Sequence, residues 1–420
     1  MRVLLQPATL LIQNPGQPAR VVPGIVASVQ PDGAAIVRDR RSYRIRIVPG
    51  LWLLKHRTTS RIFQDMSVPD IVSAVLDGAS VPRTWKLGQS YPSREYCVQY
   101  QESDYAFLRR LLAEDGILFW FELPTSAGDG ETMVLADNAQ AYPLIAGSAF
   151  PNGGPRLLLR SVGGMIQSDD NVHQFALRQR VRPTHVLLRD FDFRRPLLDL
   201  RSEAESGPTG ISGTASAAIL AATAQSGSDG TSQKLRVYGH RGEYGEPEVN
   251  PARARVELEQ RRRRSQVGEG ASPCRRLLPG HRFHLDAAMT DLAGEYVVPR
   301  VDHEGRGRQH TGSVTTADGH PSAYTNRFEC VPADVVFRPK RPKPVLRQVL
   351  ESATVVGPAN EEIYTDAYGR IKVQFHWDLE GTRDERSSCW MRVVQAWSGA
   401  GWGFQLIPRA GKWALTVRAG

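Results

Sequence analysis

No apolar run in this chain reaches the roughly 18 residues that a membrane-spanning helix requires. The opening residues are not expected to act as a secretory signal. The start MRVLLQPATLLIQN breaks its apolar character at Gln6 and Pro7, and no small-residue cleavage site follows. Cysteine is scarce: Cys97, Cys274, Cys330 and Cys389 are the four present. Their spacing fits neither a zinc ribbon nor a redox pair, which predicts reduced thiols packed as small hydrophobes in a chain made in the cytoplasm.

Catalytic signatures are equally thin. There is no Gly-x-Ser-x-Gly elbow and no Gly-rich loop ahead of a Lys-Ser or Lys-Thr pair. His303-Glu304 is followed by His310 at the wrong spacing for the helical zinc motif, and Gly305 and Gly307 oppose a helix there. Glu361 and Glu362 form an adjacent pair of the kind common at surfaces. In QFHWD, strand alternation puts His376 and Asp378 on one face. Two ligands without a third do not make a metal site, so a cross-strand contact or solvation is the expected role. No residue is assigned as catalytic, cofactor-binding or metal-ligating, and no cofactor is expected.

What the chain does contain is a soluble, globular composition, with 41% hydrophobic and 23% charged residues over 420 positions, enough for two or three domains. Its 38 Gly and 28 Pro suit short strands and many turns. The net charge is +9, with local excess at Arg253, Arg255 and Arg261 to Arg264. Such a cluster suits either nucleic acid or a solvated helix face.

Along the first third, Tyr43, Ile45 and Ile47 alternate with Arg44 and Arg46, and residues 20–30 and 94–103 alternate likewise. This pattern predicts half-buried antiparallel strands, with Tyr96, Val98 and Tyr100 sharing a face. Ser67, Pro69 and Asp70 predict a helix start ahead of Ile71, Val72, Val75 and Leu76, with Gly78 at its end. A second helix starts at Ser103 or Asp104, buries Phe107, Leu108, Leu111 and Leu112, and stops at Gly116, where the strand Ile117 to Phe121 begins. Strands are expected at Thr132 to Ala136, His185 to Phe193 and Lys234 to Tyr238, and a helix from Pro251 to Gln266. Residues 206–232, rich in Gly, Ser, Ala and Thr, read as a flexible insertion with a short Ala-rich helix near 216–224. FRPKRPKPVL reads as an extended linker kept in water by its charges.

At YQESDYAFLRRLLAEDGILFWFE the chain resembles the helix-to-strand signature of the VgrG family, tip proteins of type VI secretion systems that in turn resemble fused phage tail hub and tail-spike proteins. RIFQDMSVPDIVSAVL, RDFDFRRPLLDLRSEAE, RVYGHRGEYG, LPGHRFHL and EYVVPRVDHEG are similar to further family segments in the same order. The most specific stretch is IYTDAYGRIKVQFHWDLEG followed by SSCWMRVVQAWSGAGWGFQLIPRAG, which resembles the OB-fold that opens the family's spike. In it Tyr368-Gly369 predicts a tight turn, Ile371, Val373 and Phe375 a core face, and Trp390, Trp397 and Trp402 large apolar side chains packed into a small barrel.

The resemblance implies a mainly β fold with a few helices. Residues 1–335 would form hub-like β-barrels, 336–350 a Pro-rich linker and 351–420 the OB-fold. It implies a non-enzymatic structural part of a contractile injection machine. That part would be a homotrimer seated on Hcp-type tube rings, in contact with baseplate proteins and with effectors or adaptors, and would reach a target membrane only through a needle. It would be made in the cytoplasm and assembled into the apparatus. Against the family pattern, N-terminal strands of the first barrel and the β-helical needle are expected to be missing, as from a gene product truncated at both ends. No residues are expected to be left over for a toxic enzymatic domain. A competing reading, an OB-fold that binds nucleic acid through aromatic platforms, is weakened by the distance in sequence between the arginine cluster and the tryptophans.

Overall fold

The computed structural model describes residues 3–12, 20–31, 43–126, 128–145, 154–160, 171–206, 235–240, 250–305, 324–343, 349–399 and 401–418. The expected insertion beyond Ser206, along with Gly307, His310 and the end of the proline-rich stretch, lies outside them. The chain divides into two compact units, each discontinuous in sequence. The first holds Met1–Pro49, Pro82–Gln89 and Ala113–Lys340; the second holds Gly50–Val81, Ser90–Leu112 and Arg341–Gly420.

With strands numbered along the chain, the first unit begins with an antiparallel sheet of β1 (Pro7–Ile12), β2 (Arg20–Pro31) and β3 (Tyr43–Val48). A second sheet joins β5 (Arg83–Lys86), β8 (Thr132–Ala136) and β7 (Leu118–Glu122), in that order. The largest sheet has seven strands: β10 (Asn171–Val172), β9 (Arg156–Leu159), β16 (His281–Asp286), β17 (Gly294–Gly305), β18 (Tyr324–Pro332), β15 (Gln266–Ser272) and β11 (Gln174–Gln179), in that spatial order. Its two end strands, β10 and β11, are separated only by His173. A sheet whose edges are consecutive in the chain must curl round until those edges meet, so the sheet is drawn into a barrel.

The core of this barrel contains Leu157, Val172, Phe283, Leu285, Tyr296, Val298, Phe328 and Cys330. The large rings fit because β15 opposes them with glycine. A Cβ on Gly268 would sit 2.7 Å from Phe175, and one on Gly270 would strike the Phe328 ring.

A three-stranded sheet of β13 (Leu200–Glu205), β12 (His185–Asp190) and β14 (Arg236–His240) is covered on one face by a helix, Asn250–Arg262. Val186 and Leu188 meet Ala254 and Leu258 of that helix. This helix is no solvated face: Ala254, Val256, Glu257, Leu258 and Gln260 are all buried. Arginines of this helix, and Arg264 just beyond it, are engaged within the unit. Arg253 pairs with Asp115 at 2.5 Å, Arg261 with Glu257 at 2.7 Å and Arg264 with Glu329 at 2.8 Å, while Arg262 donates to the Pro183 carbonyl at 3.2 Å.

In the second unit, β4 (Thr58–Phe63) pairs with β6 (Cys97–Ser103). Helix α1 (Val68–Asp77) starts at Ser67, whose Oγ accepts the Asp70 N–H at 3.3 Å. Gly78 ends it in the right-handed region; the left-handed residue is Ser80, at φ 53°. Ser103 caps α2 (Asp104–Glu114), accepting the Ala106 N–H at 3.2 Å, and Gly116 at φ 72° turns the chain into β7. The helix Asn250–Arg262 is thus α3. The expected face of β6 is reversed: Cys97 and Gln99 are buried, whereas Val98 and Tyr100 are half-buried. The reason is polar. Asp104, itself buried, gathers Arg57 (3.1 Å), Arg61 (3.0 Å) and the Gln99 amide (2.9 Å), and a buried carboxylate needs all three partners.

The C-terminal segment supplies five strands in two sheets. These are β20 (Lys372–Phe375), β19 (Val349–Val356) and β23 (Trp413–Arg418), and the ribbon β21 (Ser398–Gly399) with β22 (Trp402–Gly403). The proline-rich stretch is not all solvated as its charges predict. Arg338 is 2% exposed, with its guanidinium on Glu259 (2.6 Å) and on the carbonyls of Gly116 (2.7 Å) and Asp137 (2.6 Å).

Candidate functional site

The C-terminal segment packs Ala353, Val355, Ile371, Val373 and Phe375 into its core, so the alternation Ile371, Val373, Phe375 buries as its pattern predicts. The turn before β20 is built by Asp366, which accepts the N–H groups of Tyr368 and Arg370 at 2.9 Å, with Gly369 at φ 66°. Those donors and the Arg370 guanidinium hold the Asp366 carboxyl below its usual pKa, against the opposing effect of desolvation. Glu351 ties two aromatic groups to the same core, accepting from Tyr100 Oη and from Trp377 Nε1 (2.8 Å).

The tryptophans depart from expectation. Trp390 is half-buried against Tyr364, with ring centroids 5.0 Å apart. Trp397 and Trp402, however, are 57% and 55% exposed, and Phe404, Leu406 and Val394 are exposed beside them. After the bridge between Ile371 and Met391 the chain leaves the core as a ribbon with two residues per strand, which is too short to fold both indoles back. Instead they face each other at 4.8 Å, with Phe404 at 6.1 Å from Trp397. The ribbon is nevertheless held in register. The Phe404 N–H donates to the Trp397 carbonyl (2.9 Å), and the Gln395 amide bonds both backbone groups of Leu406 (2.8 and 3.1 Å). The result is an ordered apolar surface facing solvent, of the kind that marks an interaction site.

In the first unit, Tyr43 and Ile45 of β3 are likewise exposed, as are Leu10 and Leu11 of β1. Alternation along β3 predicted a half-buried face; nothing among the described residues buries it.

The residues singled out for chemistry do not converge. His376 is exposed near Trp413 (5.8 Å), while Asp378 is buried, because β20 ends at Phe375 and alternation does not carry past it. Asp378 instead accepts the Glu380 and Gly381 N–H groups at 3.2 Å and meets the Gln374 amide at 3.3 Å. Glu362 pairs with Arg409, and Glu361 is exposed. His303 and Glu304 lie on strand β17, with His303 between Arg20 (3.2 Å) and the Tyr324 hydroxyl (2.6 Å). Burial and the Arg20 charge push the imidazole pKa down to about 4. All four cysteines are free, with Cys97, Cys274 and Cys330 buried and Cys389 half-buried. Burial lifts the Cys389 thiol to about 11. Among the described residues, no three His, Cys, Asp or Glu side chains are grouped to hold a metal, and no helix is long and apolar enough to cross a membrane.

Residues 2–310 match the family described as phage tail baseplate hub (GPD). The chain belongs to the phage tail baseplate hub family. Among curated relatives, this hub chain is 36% identical to the type VI secretion system spike protein VgrG4b of Pseudomonas aeruginosa, over 88% of its own length and 43% of that protein's. It is 34% identical to VgrG1c of the same organism, over 98% and 52%. The chain thus spans about half the length of the curated relatives it matches. In fold it resembles the E. coli c3393 protein, a type VI secretion component with structural similarity to the T4 bacteriophage tail proteins gp27 and gp5. That likeness has a TM-score of 0.60 at 17% identity and covers 98% of this chain and 83% of the other. A chain of the Francisella PdpA-VgrG complex aligns at a TM-score of 0.52 and 9% identity, covering 96% and 58%.

Proposed function

We propose that this hub chain is a mechanical, non-enzymatic part of a type VI secretion tip, and that it works as a homotrimer. The observation that carries the reading is the aromatic surface of Trp397, Trp402 and Phe404, left in solvent by a ribbon paired at Ser398–Gly403 and Gly399–Trp402. Exposing that much aromatic area is unfavourable in a monomer, and obligate assemblies bury such area against copies of themselves. The family membership and the VgrG spike relatives support the same reading. Residues 1–335 would act as the hub and 351–420 as an OB-like base for a spike. The remaining partners would be Hcp-type tube rings, baseplate proteins and delivered effectors. The chain would be made in the cytoplasm and assembled into the apparatus.

The arginine cluster lends the nucleic-acid alternative no support, because Arg253, Arg261 and Arg264 are engaged within their own unit. Light scattering on the purified chain tests the proposal. The expected mass is three times the 46.5 kDa chain, and the double substitution Trp397→Asp, Trp402→Asp should return it to one chain without unfolding it. A stable wild-type monomer at micromolar concentration would refute the trimer.

A further inference from the structure

One face of the sheet β13-β12-β14 packs on α3; the other sets Arg189, Arg201 and Arg236 among Asp199, Glu203 and Glu205. In register, Arg189 of β12 lies opposite Arg201 of β13 and His240 of β14, Leu187 lies opposite Glu203 and Tyr238, and His185 lies opposite Glu205 and Arg236. A cleft of about 580 Å³ opens on this face, lined by Leu187, Arg189, Asp199, Arg201, Arg236 and Tyr238. Arg201 is satisfied by Glu203, to which its Nε donates at 2.7 Å, and His185 reaches the same carboxylate at 3.0 Å. Those two partners hold the Glu203 carboxyl below its usual pKa. Arg189 and Arg236 are exposed and make no ion pair with any described residue. Arg189 and Arg201, directly opposed across a strand pair, repel one another; Glu203 offsets this for Arg201 and leaves Arg189 without a carboxylate among the described residues.

We propose that this cleft binds an acidic, extended segment of a partner protein. The guanidinium fork matches a carboxylate through two parallel hydrogen bonds, and Arg189 and Arg236 are two such forks with no carboxylate partner among the described residues. Tyr238, more than half exposed, offers an apolar contact between them. Among the described residues β14 ends the sheet order, and its outer edge beside the cleft pairs with no described strand, so an extended chain can pair along it. Carboxylates fit better than the phosphates of a nucleic acid. Asp199 lines the cleft and the Glu203 carboxylate lies on the same face, so a continuous row of phosphates would be repelled, whereas a peptide places its negative charges only where the arginines are. The proposal does not depend on trimer formation.

Fluorescence anisotropy on the full chain tests it. The probes are a labelled Glu/Asp-rich peptide, a Lys-rich peptide of equal length and an oligothymidylate. At low salt the acidic peptide should bind and the Lys-rich one should not. Arg189→Glu with Arg236→Glu should weaken acidic-peptide binding by about tenfold or more. Arg156→Glu, an exposed arginine elsewhere, should leave it unchanged, and circular dichroism should find both variants folded. The proposal fails if the double variant binds like wild type, if the acidic peptide does not bind at low salt, or if the oligothymidylate binds more tightly than the peptide.

Discussion

Arg338→Ala is the sharpest test of the packing of the first unit. The guanidinium is 2% exposed and meets one carboxylate and two backbone carbonyls. Truncation removes all three contacts and leaves the Gly116 and Asp137 carbonyls facing a void the size of an arginine side chain. Glu259, whose side chain is 22% exposed, keeps partial access to water and a second, longer contact to Arg255 at 3.7 Å, so its own penalty is moderate. Removing one partner of a buried pair destabilises by about 3–5 kcal/mol. Two orphaned carbonyls at about 1–3 kcal/mol each lie in the same range, and they are part of that loss rather than an addition to it. For a unit of this size the loss lowers the melting temperature by about 6–20 °C. Arg338→Lys should recover only part of the loss, because an ammonium cannot replace a fork that serves three acceptors. Thermal melts give the size, and hydrogen exchange locates it: residues 113–122 and 132–140 should lose protection first. A fall of less than about 2 °C in Arg338→Ala would mean that the three contacts contribute no net stability, and the reasoning would be wrong.

Two further outcomes follow from buried polar groups. Asp104→Ala in the second unit should destabilise it by about 3–5 kcal/mol, because Arg57, Arg61 and Gln99 lose a shared acceptor. Urea titration should find Asp104→Asn intermediate, and equal midpoints for wild type and Asp104→Ala would refute this. His303, with its pKa pushed from 6.5 down to about 4, binds fewer protons in the folded chain than in the unfolded one between those values. Its contribution is therefore complete above about pH 6.5 and is lost as pH falls toward 4. His303→Gln should flatten that part of the stability profile, and an unchanged slope in the variant would sink the assignment.

Local signals were legible. The Ser67 cap, the stop at Gly116, the strand Thr132–Ala136 and the buried triplet Ile371, Val373, Phe375 all follow from residue type and period, because each is decided within a few residues. Faces were not. The apolar positions of β6 promised Val98 and Tyr100 for the inside, yet Gln99 is there because Asp104 and Arg61 come to meet it. The Arg338 anchor gave no sequence signal, since its three acceptors are Gly116, Asp137 and Glu259, far away along the chain.

By itself the amino-acid order determined the strand-rich character, the two helix starts, the turn at Gly369 and, through its motifs, the hub family. Only tertiary structure decided which apolar faces are covered. Periodicity records that one side of a strand is apolar but not whether anything packs against it, so Trp397 and Trp402 read as core while they stand in solvent. It also decided where charge is spent: Arg253 and Arg264 look free in a linear reading and are paired in space, whereas Arg189 and Arg236, unremarkable in sequence, are brought to one cleft by strand register. Both outcomes rest on contacts between distant segments, which no local pattern encodes.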